Sequence, residues 1–285
     1  MKRLLLGLFC LGLSGAVLAA GPNAVRKRAE GSMLVTGSIV VAADGKVRDY
    51  VIDQPDKLPP FLIGLVKQAA AGWQFEPVLV DGKPVNAKAR MSLRFVAKRT
   101  DDDKFAVTLR GAHFGEDYVP GTVISYKDRS TLPHYPEEAA QAHVMGTVYL
   151  VVRVNRQGQV DAVDAEQVNL GTADSDAGMN HWRRMLTDAS IKAVRQWTFN
   201  PPNSGPGVQA DHWVARVPVN FSLSDRGNPS SDTYGKWDVY IPGPVQPIAW
   251  LDSKQVAPAS ADAIPDGELA QVGNELHLLT PLGGA

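Results

Sequence analysis

Histidines, carboxylates and hydroxyls are the groups with which an unknown chain would do chemistry, and here their spacing supports little. The six histidines are His113, His134, His143, His181, His212 and His277, and no two stand at i, i+4 beside a glutamate. The helical zinc-hydrolase arrangement is therefore missing. His134 and His143 flank a short helical pattern and can approach one another, but no clear third ligand accompanies them, and a zinc site needs at least three protein ligands. Asp101, Asp102 and Asp103 form an acidic run whose ordinary place is a solvated loop. The chain has no Gly-x-Ser-x-Gly elbow, phosphate-cradling glycine loop or dinucleotide fingerprint. The expectation is a protein that is not an enzyme and has no catalytic residues, metal or cofactor. A hydrolase with an unfamiliar site is the alternative from another class. It would need polar groups clustered in a deep pocket.

A motif that occurs twice organises the chain instead. Trp73-Gln74-Phe75-Glu76-Pro77 is matched by Trp197-Thr198-Phe199-Asn200-Pro201. Each copy follows an apolar helical pattern and leads to a second shared signature. The first is Ala89-Arg90-Met91-Ser92-Leu93-Arg94-Phe95, and the second is Ala215-Arg216-Val217-Pro218-Val219-Asn220-Phe221. Two motifs in one order at nearly one spacing mean an internal repeat. Trp73 and Trp197 read as packing anchors rather than ligand platforms.

The elements around each motif follow from periodicity. In the first copy, residues 38–42 read as a strand, Asp44-Gly45 as a hairpin turn and 47–52 as the return strand. Pro59-Pro60 set up a helix whose stripe is Phe61, Leu62, Leu65, Val66, Ala69 and Trp73. The closing strand then alternates, with Ala89, Met91, Leu93 and Phe95 on one face. In the second copy, Tyr135-Pro136 precede a short helix, and Val148, Leu150, Val152 and Val154 alternate along a strand. Residues 155–158 make the turn, and a helix carries Trp182, Met185, Leu186, Ala189 and Ala193. This copy is longer, by an insertion placed largely at 171–179. The fold class is α+β: two tandem units, each a three-stranded antiparallel sheet with a helix on one face.

The rest of the chain is bounded by composition. Its 285 residues suit one large or two small domains, and 44% hydrophobic content is ordinary for a globular core. A net charge of −1 gives no reason to expect nucleic acid or an anionic membrane surface as partner. Lys2-Arg3, the apolar run 4–13 and the small residues ending Ala19-Ala20 have the order of a secretory signal, with an uncleaved membrane anchor as the alternative. Cys10, the only cysteine, lies inside it, so no disulfide is expected. The division is then a signal at 1–20, a first unit at 33–98, a linker at 99–129 with a stray strand pattern at 105–109, and a second unit at 130–224. A Pro- and Gly-rich, largely flexible tail follows at 225–285, with 237–241 and 275–279 as docking patches and a tail strand against a sheet edge as the alternative.

Residues 130–223 resemble the C-terminal domain of the TonB family of bacterial energy transducers. The resemblance rests on Tyr135-Pro136-x-x-Ala139, Gly146-x-Val148, Gly158-x-Val160, Ala193-Val194-x-x-Trp197-x-Phe199-x-Pro201 and Val217-x-Val219-x-Phe221. The first unit looks like a degenerate copy without the Tyr-Pro segment. The resemblance implies a periplasmic protein-binding module that takes an extended partner segment, such as part of an outer-membrane receptor, as an added strand. Carried across, the partner-binding surface is Tyr135, Pro136 and the outer edge of Ala215, Arg216, Val217, Pro218, Val219, Asn220 and Phe221. Pro218 has no N–H, so its replacement by valine would add a rung if that edge faces outward. The runner-up is a true energy transducer, inner-membrane anchored and working with an ExbB/ExbD-type motor. Strand exchange between two copies is open as a route to a homodimer.

Overall fold

The chain begins its fold with a hairpin turned on a glycine. In the computed structural model, which describes residues 28–100, 104–115, 120–223, 233–251 and 260–283, β1 (Glu30–Val41) and β2 (Val47–Ile52) pair antiparallel. The turn between them places Gly45 at φ 83°. The helix α1 (Pro60–Gly72) starts on the expected proline and ends at Gly72. A small hairpin, β3 (Leu79–Val80) and β4 (Lys83–Pro84), leads to β5 (Ala87–Arg99), which lies along β1 over eleven paired positions from Gly31↔Ala97 to Val41↔Ala87. The expected signal segment, Cys10 and the Asp101, Asp102 and Asp103 run lie outside the described residues.

The second unit follows the same order. After β6 (Phe105–His113), β7 (Ser125–Asp128) and the short helix α2 (Glu137–Gln141), the hairpin β8 (Gly146–Asn155) and β9 (Val160–Leu170) turns on Gly158 at φ 77°. Helix α3 (Asp176–Val194) is capped by Ser175, whose hydroxyl accepts from the Gly178 N–H at 3.1 Å. Then come β10 (Thr198–Asn200) and β11 (His212–Phe221), the latter paired to β8 along its whole length. The strand order is β2-β1-β5 in one unit and β9-β8-β11 in the other. The fold is thus mixed α+β with antiparallel sheets. The extra length of the second unit is not a loop at 171–179. It is spread over a return strand of 11 residues against 6 and a helix of 19 against 13.

The repeated motif pins each helix end to its hairpin turn. Phe75 donates its N–H to Gly45 O at 2.7 Å, and Phe199 donates to Gly158 O at 2.8 Å. The indoles are buried, and each Nε1–H is satisfied: Trp73 by Leu282 O at 3.0 Å and Trp197 by Thr131 O at 2.7 Å. Both phenylalanines are fully buried, Phe75 against Phe114 and Phe199 against Tyr126. Inward residues follow the alternation: Ala89, Met91, Leu93 and Phe95 in one core, and Ala215, Val217, Val219 and Phe221 in the other.

Two expectations are corrected. The stretch 99–129 is no mere linker, because β6 pairs with β5 from Ser92↔His113 to Arg99↔Phe105. Nor is the tail largely flexible among its described residues. There β12 (Asp238–Tyr240) pairs with β1, β13 (Ala270–Gln271) pairs with β11, and Ile241 and Leu276 join the two cores. Residues 261–264 are buried where a turn touches β5, β6 and β9. The reason is that the sheet faces away from the helices are themselves apolar in part, with Val96, Tyr149, Val151 and Val214 all buried. Such faces need a cover, and the tail supplies one. Among the described residues, no helix is long and apolar enough to cross a membrane.

Candidate partner-binding edge

The expected surface centres on β11, so what each of its residues faces decides what the strand can do. Its odd positions, Ala215, Val217, Val219 and Phe221, are core. Arg216 and Pro218 are buried on the opposite face, and Asn220 is exposed, with its amide donating to Thr147 Oγ1 at 3.0 Å. Tyr135 stands edge-on to Phe221, ring centroids 5.3 Å apart, and its hydroxyl donates to Val144 O at 2.5 Å. Pro136 caps α2. The structure therefore brings Tyr135 to the end of β11, but the side chains of 215–219 offer no surface. What remains for a partner is the backbone edge.

That edge is already in use. Ala270 lies opposite Arg216, Gln271 opposite Ala215, and Val272 donates its N–H to Val214 O at 2.8 Å. With the Val214 carbonyl directed at the tail, alternation along a strand directs the backbone of Arg216, Pro218 and Asn220 the same way. The ladder stops after Arg216 because the next outward position is Pro218, which has no N–H to give. The first unit carries Ser92 at the equivalent place, and there β6 pairs on from Ser92 to Arg99, with one bulge between Arg94 and Phe95. One residue type thus separates a filled edge from a barely held one. Pro218→Val is expected to lengthen the tail's ladder by one rung, worth about 1 kcal/mol. Amide exchange at 270–272 should slow by roughly fivefold.

Arg216 is held by charge. Its guanidinium, 2% exposed, donates from Nε to Glu166 Oε2 at 2.7 Å and from Nη2 to Glu166 Oε1 at 3.1 Å. Glu275 of the tail approaches Nη1 at 3.9 Å, with its side chain 5% exposed. A bidentate pair at such depth fixes orientation as well as charge. Neither glutamate was legible as its partner. The available hint was that Arg216 sits between Val214 and Pro218, on a face too apolar to be solvated.

Beside the edge is a cavity of about 430 Å³, lined by Arg90, His113, Ile124, Glu268 and Gln271 among others. His113 is buried there, and burial first, then the Arg216 cation, pushes its imidazole down to about 4 from 6.5. The unfolded chain binds that proton below about pH 6.5 and the folded one only below about 4, so stability falls as pH drops through this window. The whole effect is about 3 kcal/mol. Burial raises Asp266 and Glu268, which acts with opposite sign. The difference between wild type and His113→Gln is therefore the test: between pH 7 and pH 4.5 the urea midpoint of the wild type should fall relative to that of the variant. Ser92 Oγ and His113 Nδ1, cross-strand neighbours, make no hydrogen bond to each other or to another protein group. Among the described residues, no three His, Cys, Asp or Glu side chains are grouped to hold a metal. His134 and His143 are both exposed.

A third of the chain is similar to TonB proteins. Over 92 residues it is 36% identical to "Protein TonB" of Xanthomonas campestris pv. campestris, covering 32% of this chain and 35% of the relative. Over the same length it is 30% identical to "Protein tonB2" of Pseudomonas aeruginosa, covering 32% of this chain and 29% of the relative. The chain thus spans about a third of the length of these curated relatives. No family model matches the chain, and no solved structure does.

Proposed function

We propose that the protein is a TonB-like, periplasmic protein-binding module that recognises an extended segment of another protein by strand addition at β11. The observation that carries this reading is the antiparallel pairing of 270–272 with 214–216, since an edge that takes one extended segment has the geometry to take another. The similarity to TonB over part of the chain favours the same class of partner, a segment of an outer-membrane receptor. Tyr135, edge-on to Phe221 at the free end of the strand, would brace the incoming chain. The two units are proposed to be copies of one ancestral module, of which the first has filled its edge with β6.

A second reading, an energy transducer for receptor-dependent transport, draws on the names of the relatives alone. It shares the edge and adds force through an anchor in residues 1–20. The test of the shared claim is retention of the chain on an immobilised receptor peptide. Tyr135→Ala should weaken capture at least tenfold, and undiminished capture would remove this surface.

A further inference from the structure

The tail segment on β11 has the features of an occupant rather than of a structural strand. It meets β11 through two paired positions and one further hydrogen bond, where β8 meets the same strand through ten. Around that contact its anchors are polar: Gln271 Oε1 accepts the Ile124 N–H at 2.9 Å, Gly267 O accepts from Arg129, and Glu275 is turned inward toward Arg216. Few apolar side chains hold it there. Leu269 and Val272 are half-buried, and only the small Ala270 is buried. Farther on, Leu276 and Leu278 dock on the first unit, so the segment can leave β11 while its end stays attached.

We infer that residues 267–275 are a tethered occupant of the partner edge. An incoming segment must displace them and must bring a carboxylate to replace that of Glu275 beside Arg216. The inference rests on strand addition at β11, and it specifies both the regulation of that edge and the chemistry it selects. Arg216 is buried and its charge cannot be hydrated, so a segment that removed Glu275 and offered only neutral side chains would leave the guanidinium with Glu166 alone. A partner carrying Glu or Asp a few residues beyond its paired stretch restores the second anion. The tether sets the competition. Linked at both ends, the occupant acts at an effective concentration of order millimolar, and the apparent affinity of any partner falls by the fraction of time the edge is free.

The probe is a synthetic peptide with the sequence of residues 267–277, made with Glu or with Gln at the position of Glu275, and titrated by fluorescence into the full chain. Val272→Pro removes the donor to Val214 O and should raise affinity for the Glu peptide at least tenfold over wild type. The Gln peptide should bind roughly tenfold more weakly than the Glu peptide. Equal affinity of the two peptides overturns the carboxylate requirement, and no gain on Val272→Pro overturns the competition. If that variant does not fold, the chain carrying Ala215→Cys and Gln271→Cys, with Cys10→Ser, replaces it. These positions face each other across the pair, within reach of a disulfide. Oxidation should abolish peptide binding and reduction restore it, and binding to the oxidised chain would sink the inference. The receptor reading fails separately, if the 267–277 peptide behaves as described while receptor peptides do not bind.

Discussion

Arg216→Ala is expected to lower the free energy of unfolding by about 3–5 kcal/mol, read as a shift of the urea midpoint at pH 7. The substitution leaves Glu166 and Glu275 facing one another's charge in a place where Arg216 is 2% exposed. An uncompensated buried carboxylate costs far more than the pair contributes. Glu166→Gln should approach the same loss, because it strips the bidentate partner at 2.7 and 3.1 Å. Glu275→Gln should cost distinctly less, because its contact is at 3.9 Å. Replacing Arg216 by methionine together with Glu166 by leucine should recover much of the loss, since an apolar pair of similar volume asks for no counter-charge. If all three single variants melt alike, Arg216 is not neutralised in the order that the geometry describes.

Gly158→Ala should cost about 3 kcal/mol or more, and Gly45→Ala about as much. Both glycines have positive φ, where a side chain is strained by 1–2 kcal/mol on its own. A methyl group on Gly158 would lie 2.0 Å from Phe199 O, and one on Gly45 would lie 2.1 Å from Phe75 O. Those carbonyls belong to the repeated Trp-x-Phe-x-Pro motif, so each clash would push the helix end off its hairpin. Gly64→Ala is the contrast within the same protein. It sits in α1 with nothing within 4 Å of the added carbon, and should stabilise by about 0.5–1 kcal/mol. Chemical denaturation of the three variants measures all of this together. Similar losses at the two turns would mean that the motif does one job twice.

The parts of this fold that were legible in the sequence are those written by local rules. Asp44-Gly45 and the turn at Gly158 announced hairpins, Pro60 and Gly72 bounded a helix, and the alternation of Ala89 to Phe95 matches the core face of β5. Strand patterns at 105–109 and 237–241 were legible, but not the edges that β6 and β12 join, and β13 was not legible at all. These strands are short or polar, and each is a strand only because a distant edge pairs with it, Ala270 with Arg216 for instance. Hence the stretch 99–129 looked like a connector and 225–285 like a loose tail. The partner surface was half legible. Tyr135 does meet Phe221, and the backbone alternation turns Pro218 outward. Yet the fact that Arg216 is buried depends on Glu166 and on a cover of tail residues, which no local pattern encodes.

Native-state hydrogen exchange at the Val272 amide tests most directly whether β11 offers an edge that can be vacated. That proton is bonded to Val214 O at 2.8 Å and is freed whenever the tail leaves. Exchange should proceed through a small opening, insensitive to low denaturant and at least about 2 kcal/mol below the opening energy of amides in β8. A Val272 amide that exchanged only on global unfolding, with the same denaturant slope as β8, would make 270–272 a permanent strand and contradict the account.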